Sequence, residues 1–334
     1  MSPAEVAGGV VTVTLAAALD LTYRLPGGLH PGELHRAATV TRELSGKGVN
    51  VAHALAAAGH PVAGVAALGS EALPMLDAGP HAEVFTAVAT AGHTRINTTI
   101  LDGAGATTKV NEAPVPLTRA EWDAVRDLAL AEARRIGAEW ILLAGTVPQL
   151  AGAPRPGSLV PVGELLRAAR GAGLRVGMDS SDAALAHILD THLGDVALLK
   201  PNTHELAGAV RTPLRTVGEV IAAATTLTRG GVEYVYVSMG SDGALLVTGA
   251  GTWHAHAPAP AVVNSTGAGD ASLAGFLVGL AAGGPERAIA TAASWGAHSV
   301  AQPRTLLLDP HRAPPARVTA DPDPATALRE PGLP

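Results

Sequence analysis

The stretch Asn264-Ser-Thr-Gly-Ala-Gly-Asp-Ala-Ser-Leu-Ala-Gly-Phe-Leu277 joins a tight turn to a helix of small residues. Gly267, Ala268 and Gly269 carry almost no side-chain bulk. Their backbone N–H groups can therefore converge on an anion, and the helix dipole adds to the attraction. Asp270 falls in the first turn. A carboxylate beside an anion site is awkward for binding alone. It suits a base that takes a proton from a hydroxyl attacking a bound phosphoryl group. Taken by itself the stretch has a plainer reading, a glycine-rich turn followed by an ordinary acidic residue at a helix start.

Working outward, the chain upstream alternates strand and helix. Residues 10–15 (VVTVTL) read as a buried strand, and Ser45-Gly-Lys-Gly-Val-Asn50 is a second glycine-rich turn that opens a helix ending at Gly59. Thr118 with Glu121 marks a capping-box start for a helix reaching Ile136, followed by a buried strand over 140–144. Further helices over 162–171, 183–191 and 217–229 alternate with strands over 174–179, 196–199 and 234–238. This is the rhythm of a doubly wound α/β fold, a mainly parallel sheet with helices on both faces. Two strand-like segments, 21–44 and 94–111, break the rhythm and are predicted to leave the sheet as a small accessory β-lid. The expectation is one domain over 1–334, with helices to about residue 282 and over 285–300, and a proline-rich tail over 303–334 that is peripheral or mobile.

Composition removes several function classes. Only 16% of the 334 residues are charged and the formal net charge is −6, so no broad basic surface favours nucleic acid or an anionic membrane. With no cysteine, disulfides, thiol catalysis and Cys-based zinc sites are excluded, and a reduced cytoplasm is compatible. No apolar run reaches the 18 or so residues of a membrane span, and the start, MSPAEVAGG, lacks the basic and apolar regions of a secretory signal. The thirteen histidines show no metal-binding spacing. Of the 23 cationic side chains only Lys47, Lys109 and Lys200 are lysines. A compact ammonium suits some sites that a planar guanidinium does not.

The stretch from Asn264 to Leu277 resembles the C-terminal signature of the ribokinase-like carbohydrate kinases, and Gly46-Lys-Gly-Val-Asn50, with Ala52, Gly59 and Gly69, resembles their N-terminal signature. Within that family the chain is most similar to the 1-phosphofructokinase and tagatose-6-phosphate kinase branch. The residues that carry this are Val11 to Leu15 with Ala18-Leu-Asp20, Thr94-Arg-Ile-Asn97, Asn111-Glu112, Leu199-Lys-Pro-Asn202 with Glu205-Leu206, and Val237-Ser-Met-Gly-Ser-Asp-Gly243. The resemblance implies a ribokinase-like fold and ATP-dependent, magnesium-assisted transfer of the γ-phosphoryl group to a hydroxyl of a phosphorylated ketohexose. It implies that Asp270 takes the hydroxyl proton while the N–H groups of Gly267, Ala268, Gly269 and Asp270 stabilise the transferring group. Asp20, Gly46, Lys47, Asn50, Arg95 and Thr146 would meet the sugar substrate, Lys47 and Arg95 through its phosphate. Lys200, Asn202, Ser238, Gly240 and Gly243 would line the nucleotide, and Glu205 would organise water around magnesium. The apolar strands that the lid exposes on one side predict a homodimer paired through the lid, and the composition predicts a cytoplasmic enzyme with no nucleic-acid or membrane partner.

Plainer readings stand beside these: Asp20 as a turn residue, Arg95 as a solvent-facing strand arginine, Glu205 as a helix cap, 238–243 as a simple turn and Lys109 as a solvated lysine. The sequence also departs from the branch at Ala16, Ala17, Ser45, Ala144 and Thr99, the last standing where the branch commonly has lysine. All five lie on the acceptor side. Acceptor identity is therefore open to an unphosphorylated sugar or a nucleoside, and a non-catalytic binding protein on the same scaffold is the reading from another class. A nicotinamide dehydrogenase is disfavoured because no GxGxxG follows the first strand.

Overall fold

Runs of Val, Ile, Leu and Ala build the centre of the sheet, with charged residues confined there to strand ends, and short glycine turns deliver the chain to its helices. The computed structural model describes residues 8–180 and 182–333; the start of the chain read above for a leader lies outside them up to residue 7. The first elements are β1 (Gly9–Thr14), β2 (Ala18–Arg24), β3 (Thr39–Ser45), α1 (Lys47–Ala57), β4 (Val62–Gly69), α2 (Leu73–Asp77) and β5 (Phe85–Thr90). There follow β6 (Arg95–Leu101), β7 (Thr107–Asn111), α3 (Arg119–Ile136), β8 (Ala138–Ala144), α4 (Gly163–Gly171), β9 (Arg175–Asp179), α5 (Asp182–Thr191) and β10 (Leu198–Leu199). The last part supplies α6 (Thr203–Val210), β11 (Leu214–Thr216), α7 (Val217–Arg229), β12 (Tyr234–Ser238), β13 (Ala244–Thr248), β14 (Gly251–His256), α8 (Ala268–Val300), β15 (Arg317–Ala320) and β16 (Ala327–Gly332).

Ten strands form one sheet in the order β15-β14-β13-β12-β10-β9-β8-β1-β4-β5. From β12 to β5 every pair is parallel, and β13, β14 and β15 add an antiparallel edge. Helices cover both faces, with α1 and α8 over one core and α3, α4, α6 and α7 over the other, so the doubly wound, mainly parallel fold is the one the sequence predicts. After β1 the sheet grows first toward β4 and β5 and then, from β8 onward, in the opposite direction. Crevices at such a reversal, outside the carboxyl ends of the strands, are where α/β folds hold ligands.

Small residues let the layers close. A side chain at Gly64 would collide with Phe85 and press on Ala52 of α1, and side chains at Gly275 and Gly279 would collide with the backbone of the second arm of α8 at Thr291 and Arg287. That second arm exists because Gly284, at φ 78°, breaks the helix just before Pro285. The two helices predicted there are one element folded at this kink. The capping box at Thr118 and Glu121 also forms as read.

Strands β3-β2-β6-β7 make the separate four-stranded lid. Side chains alternate across a strand, and the register puts Asp20 opposite Asn97, and Thr99 opposite Lys109, on one face. The other face carries Tyr23 opposite Val40 and Ile100. The tail departs from expectation. Instead of lying loose, β15 pairs with β14 as the sheet edge and β16 pairs with β11, burying Leu328 in the core beside α6 and α7. Its composition reads as disordered, but Val318 and Leu328 find apolar partners on an already formed framework.

Candidate active site

Gly267 caps α8 in the left-handed conformation at φ 80°, where a side chain would collide with the Thr305 carbonyl. The Asn264 side chain accepts the Thr266 N–H at 2.9 Å and fixes the approach. Past this turn Asp270 is buried, 7% exposed, and accepts a 2.7 Å hydrogen bond from Asn50 Nδ2. Burial pushes its carboxyl up to about 6, and the negative charge of Asp179 adds to the rise; Asn50, Lys47 and Lys200 pull the other way. The carboxylate is thus ionised at neutral pH yet basic enough to accept a proton.

Lys47 and Lys200 meet on one residue. Lys47 Nζ donates to Asp179 Oδ1 at 2.8 Å and Lys200 Nζ to Oδ2 at 3.1 Å. Asp179, at the end of β9, is fully buried; burial pushes its carboxyl up, but the two ammonium groups outweigh this and hold it below the usual carboxylate range. Lys47 opens α1 after Gly46, which sits at φ 145° where a side chain would press on Thr14. Lys200 directly follows β10, and a side chain at Gly269 would come within 3.3 Å of its ammonium, so this lysine lies against the turn of α8. The two motifs, 220 residues apart at Asn50 and Asp270, form one site.

The lid carries Asp20 and Arg95, two of the residues read from the sequence as meeting the sugar. Asp20 Oδ1 accepts from Asn97 Nδ2 at 3.0 Å; burial pushes its carboxyl up against the hydrogen bonds of Ser45 and Asn97 and the charges of Arg95 and Lys109. Arg95 is half-buried and its Nε has no partner, with burial pulling the guanidinium down and only Asp20 opposing. Thr146 is half-buried just after β8. Lys109 is exposed, as read, but its ammonium reaches across to Thr266 Oγ1 at 3.3 Å, from the strand position facing Thr99.

Of the residues read as lining a nucleotide, Asn202 and Ser238 lie side by side as a parallel bridge. Gly240 and Gly243 adopt φ 54° and 89° in the turn after β12, and a side chain at Gly243 would collide with the Ala255 carbonyl. Glu205 forms a capping box with Asn202, each side chain accepting the other's N–H at 2.8 Å. The plain cap reading is therefore realised in the geometry. Its Oε1 takes no part in the cap, and its charge is felt at Lys47. Among the described residues no group of three or more His, Cys, Asp or Glu is set to hold a metal. Magnesium keeps much of its water and binds through one or two carboxylates plus substrate phosphates. Glu205, with Oε1 outside its cap and its charge felt at Lys47, is compatible with that pattern.

The sequence profile of the pfkB family carbohydrate kinases matches residues 12–309, spanning every site residue named above. The chain belongs to the pfkB family. Among curated relatives it is similar to the 1-phosphofructokinase of Rhodobacter capsulatus, 34% identical over 323 residues that cover 93% of this chain and 95% of the relative. A second, from Xanthomonas campestris pv. campestris, is 36% identical over 276 residues covering 81% and 83%. Among solved structures, phosphofructokinase-2 of Escherichia coli in complex with substrates and products superposes with a TM-score of 0.77 at 25% identity, over 90% of this chain and 96% of that one. As a pfkB kinase, the chain transfers phosphoryl groups to an alcohol acceptor on a carbohydrate. Sequence reasoning did not single out Asp179 or Asn97 and gave Lys109 no role. Asp179 carried the same signal that drew attention to Asp20, an acid at the carboxyl end of a strand.

Proposed function

We propose that the acceptor is a ketohexose phosphate, fructose 1-phosphate first among candidates, held under the lid with its phosphate toward Arg95, Lys47 and Lys109 and its attacking hydroxyl toward Asp270. The observation that carries this is the half-buried Arg95 guanidinium whose Nε has no protein partner. Burying an unpaired cation is costly, and a substrate phosphate answers it. Lys109 stands opposite Thr99 and supplies, from the neighbouring strand, the cation that the branch commonly carries there. The curated relatives' name, 1-phosphofructokinase, supports the same reading.

In this reading ATP is the donor, with its phosphates over Lys200, Asn202, Ser238, Gly240 and Gly243. Asp20 accepts hydrogen bonds from sugar hydroxyls and is kept in place by Asn97. Asp270 takes the proton of the attacking hydroxyl while Asn50 orients its carboxylate. The N–H groups of Gly267, Ala268, Gly269 and Asp270 donate to charge developing on the transferred phosphoryl group. Magnesium, when bound, neutralises phosphate charge, with Glu205 holding its water. The buried position of Asp270 keeps bulk water from competing for the phosphoryl group.

ATP turnover measured over fructose 1-phosphate, fructose 6-phosphate, tagatose 6-phosphate, free ketohexoses and nucleosides tests the acceptor. A higher kcat/KM with a free sugar or a nucleoside than with every sugar phosphate sinks it, and no turnover with any of them favours a binding protein. The outer lid face, with Tyr23, Leu25, Leu29, Val40 and Ile100 around a broad hollow, is the surface through which two copies would pair. A monomer at micromolar concentration in analytical ultracentrifugation counts against that pairing. Among the described residues no helix is long and apolar enough to cross a membrane, in keeping with a cytoplasmic kinase.

A further inference from the structure

The family profile ends at residue 309, and the chain beyond it returns to the nucleotide side. Strand β16 runs past both loops assigned above to the donor phosphates. At the first, Asp242 Oδ2 accepts the N–H groups of Arg329 at 2.7 Å and Glu330 at 3.0 Å. Glu330 Oε1 in turn accepts the N–H of Ser241 at 2.9 Å. The Glu330 carboxylate lies so close to Gly240 that a side chain there would collide with it. At the second, Gly332 packs on the Thr203 carbonyl at the start of α6, where a side chain would not fit, and the Leu333 N–H faces His204 Nδ1 at 3.4 Å. Thr203 Oγ1 donates to the Ser238 carbonyl at 3.3 Å and links the two loops. Leu328, buried in the core, anchors the strand between them.

We propose that β16 is a clamp on the donor-phosphate loop and that Glu330 is a positioning residue, holding the turn from Gly240 to Gly243 in the shape that receives ATP. The turn needs such a hold. Two of its four residues are glycines at positive φ, and a glycine-rich turn left to itself samples many conformations. An ordered binding loop has already met that entropic cost before the ligand arrives. Glu330 also carries a negative charge beside a polyphosphate site, and by charge alone it would weaken ATP binding. The two effects have opposite signs, so they can be separated. The proposal rests on the reading of Asn202 and residues 238–243 as the nucleotide site.

The experiment is calorimetric binding of ATP with magnesium to the full chain, without acceptor, for wild type, Glu330→Ala, Glu330→Gln and Asn202→Ala. Hydrogen exchange of the peptide over 238–243 is followed in parallel. Glutamine keeps an acceptor oxygen for the Ser241 N–H and removes the charge; alanine removes both. The clamp predicts that Glu330→Ala weakens ATP binding by about three- to tenfold and speeds exchange over 238–243, while Glu330→Gln stays within about twofold of wild type. Tighter binding in both variants would mean that charge repulsion dominates and overturns the clamp, as would unchanged binding and exchange in Glu330→Ala. If Asn202→Ala weakens binding and Glu330→Ala does not, the clamp alone falls. If Asn202→Ala also binds as wild type, the nucleotide-site reading falls with it.

Discussion

The proposed nucleotide half and the proposed acceptor half of the site are built differently. On the nucleotide side, Lys200, Asn202 and Ser238 stand at the ends of core strands or on the first residues of a capped helix, and their polar groups already have partners within the protein. On the acceptor side, Asp20, Arg95 and Lys109 come from a four-stranded lid that is half-exposed, and Arg95 is left with an unpaired Nε. The departures from the branch pattern are spread over both kinds of element: Ser45 and Thr99 stand in lid strands, Ala16 and Ala17 just before β2, and Ala144 at the end of the core strand β8. Within the lid, Lys109 lies opposite Thr99 across the β6–β7 hairpin.

The contrast can be broken most sharply at the junction of the halves. Asp270→Asn is expected to lower kcat by about a hundred- to ten-thousandfold with little change in ATP affinity; an active variant removes Asp270 as the base. In the wild type, the raised carboxyl of Asp270 places an acid limb in the kcat/KM profile at about pH 6, with activity falling about tenfold per pH unit below it as the base protonates. A flat profile from pH 7 to 5 would contradict this. Asp179→Asn leaves the buried Lys200 ammonium without its counter-charge and is expected to cost about 3–5 kcal/mol in denaturant unfolding.

Smaller effects separate the halves. Arg95→Ala should raise the KM for a sugar phosphate by about tenfold or more and leave the KM for ATP unchanged. Equal loss for a phosphorylated and an unphosphorylated acceptor would show that Arg95 does not read phosphate. Lys109→Ala, at an exposed position, should cost only about two- to fivefold in kcat/KM, with the loss shrinking as salt is raised.

Much of this arrangement is legible in the sequence because the two glycine turns are local signals. A turn, a helix start and a carboxylate within seven residues announce an anion site wherever the chain later places it. The strand and helix alternation likewise predicts the sheet. What the sequence hides is pairing at a distance. Asp179 reads as any acid at a strand end until the parallel register sets it between Lys47, 132 residues away, and Lys200. Lys109 gains a partner only through the β6–β7 register and the approach of the lid to Thr266. The strands β15 and β16 are short and proline-flanked, and their partners lie far back in the chain at β14 and β11.

In the proposed arrangement Asp179 is also where the two halves meet, as the common counter-ion of an ammonium toward the acceptor and an ammonium toward the donor. An anion that draws Lys47 toward itself leaves Asp179 to Lys200 alone, and an anion drawing Lys200 does the reverse. Binding free energies at two sites joined in this way are linked, and the linkage is equal in both directions. In that arrangement each substrate would set the affinity of the other through a single buried charge, without any movement of the lid.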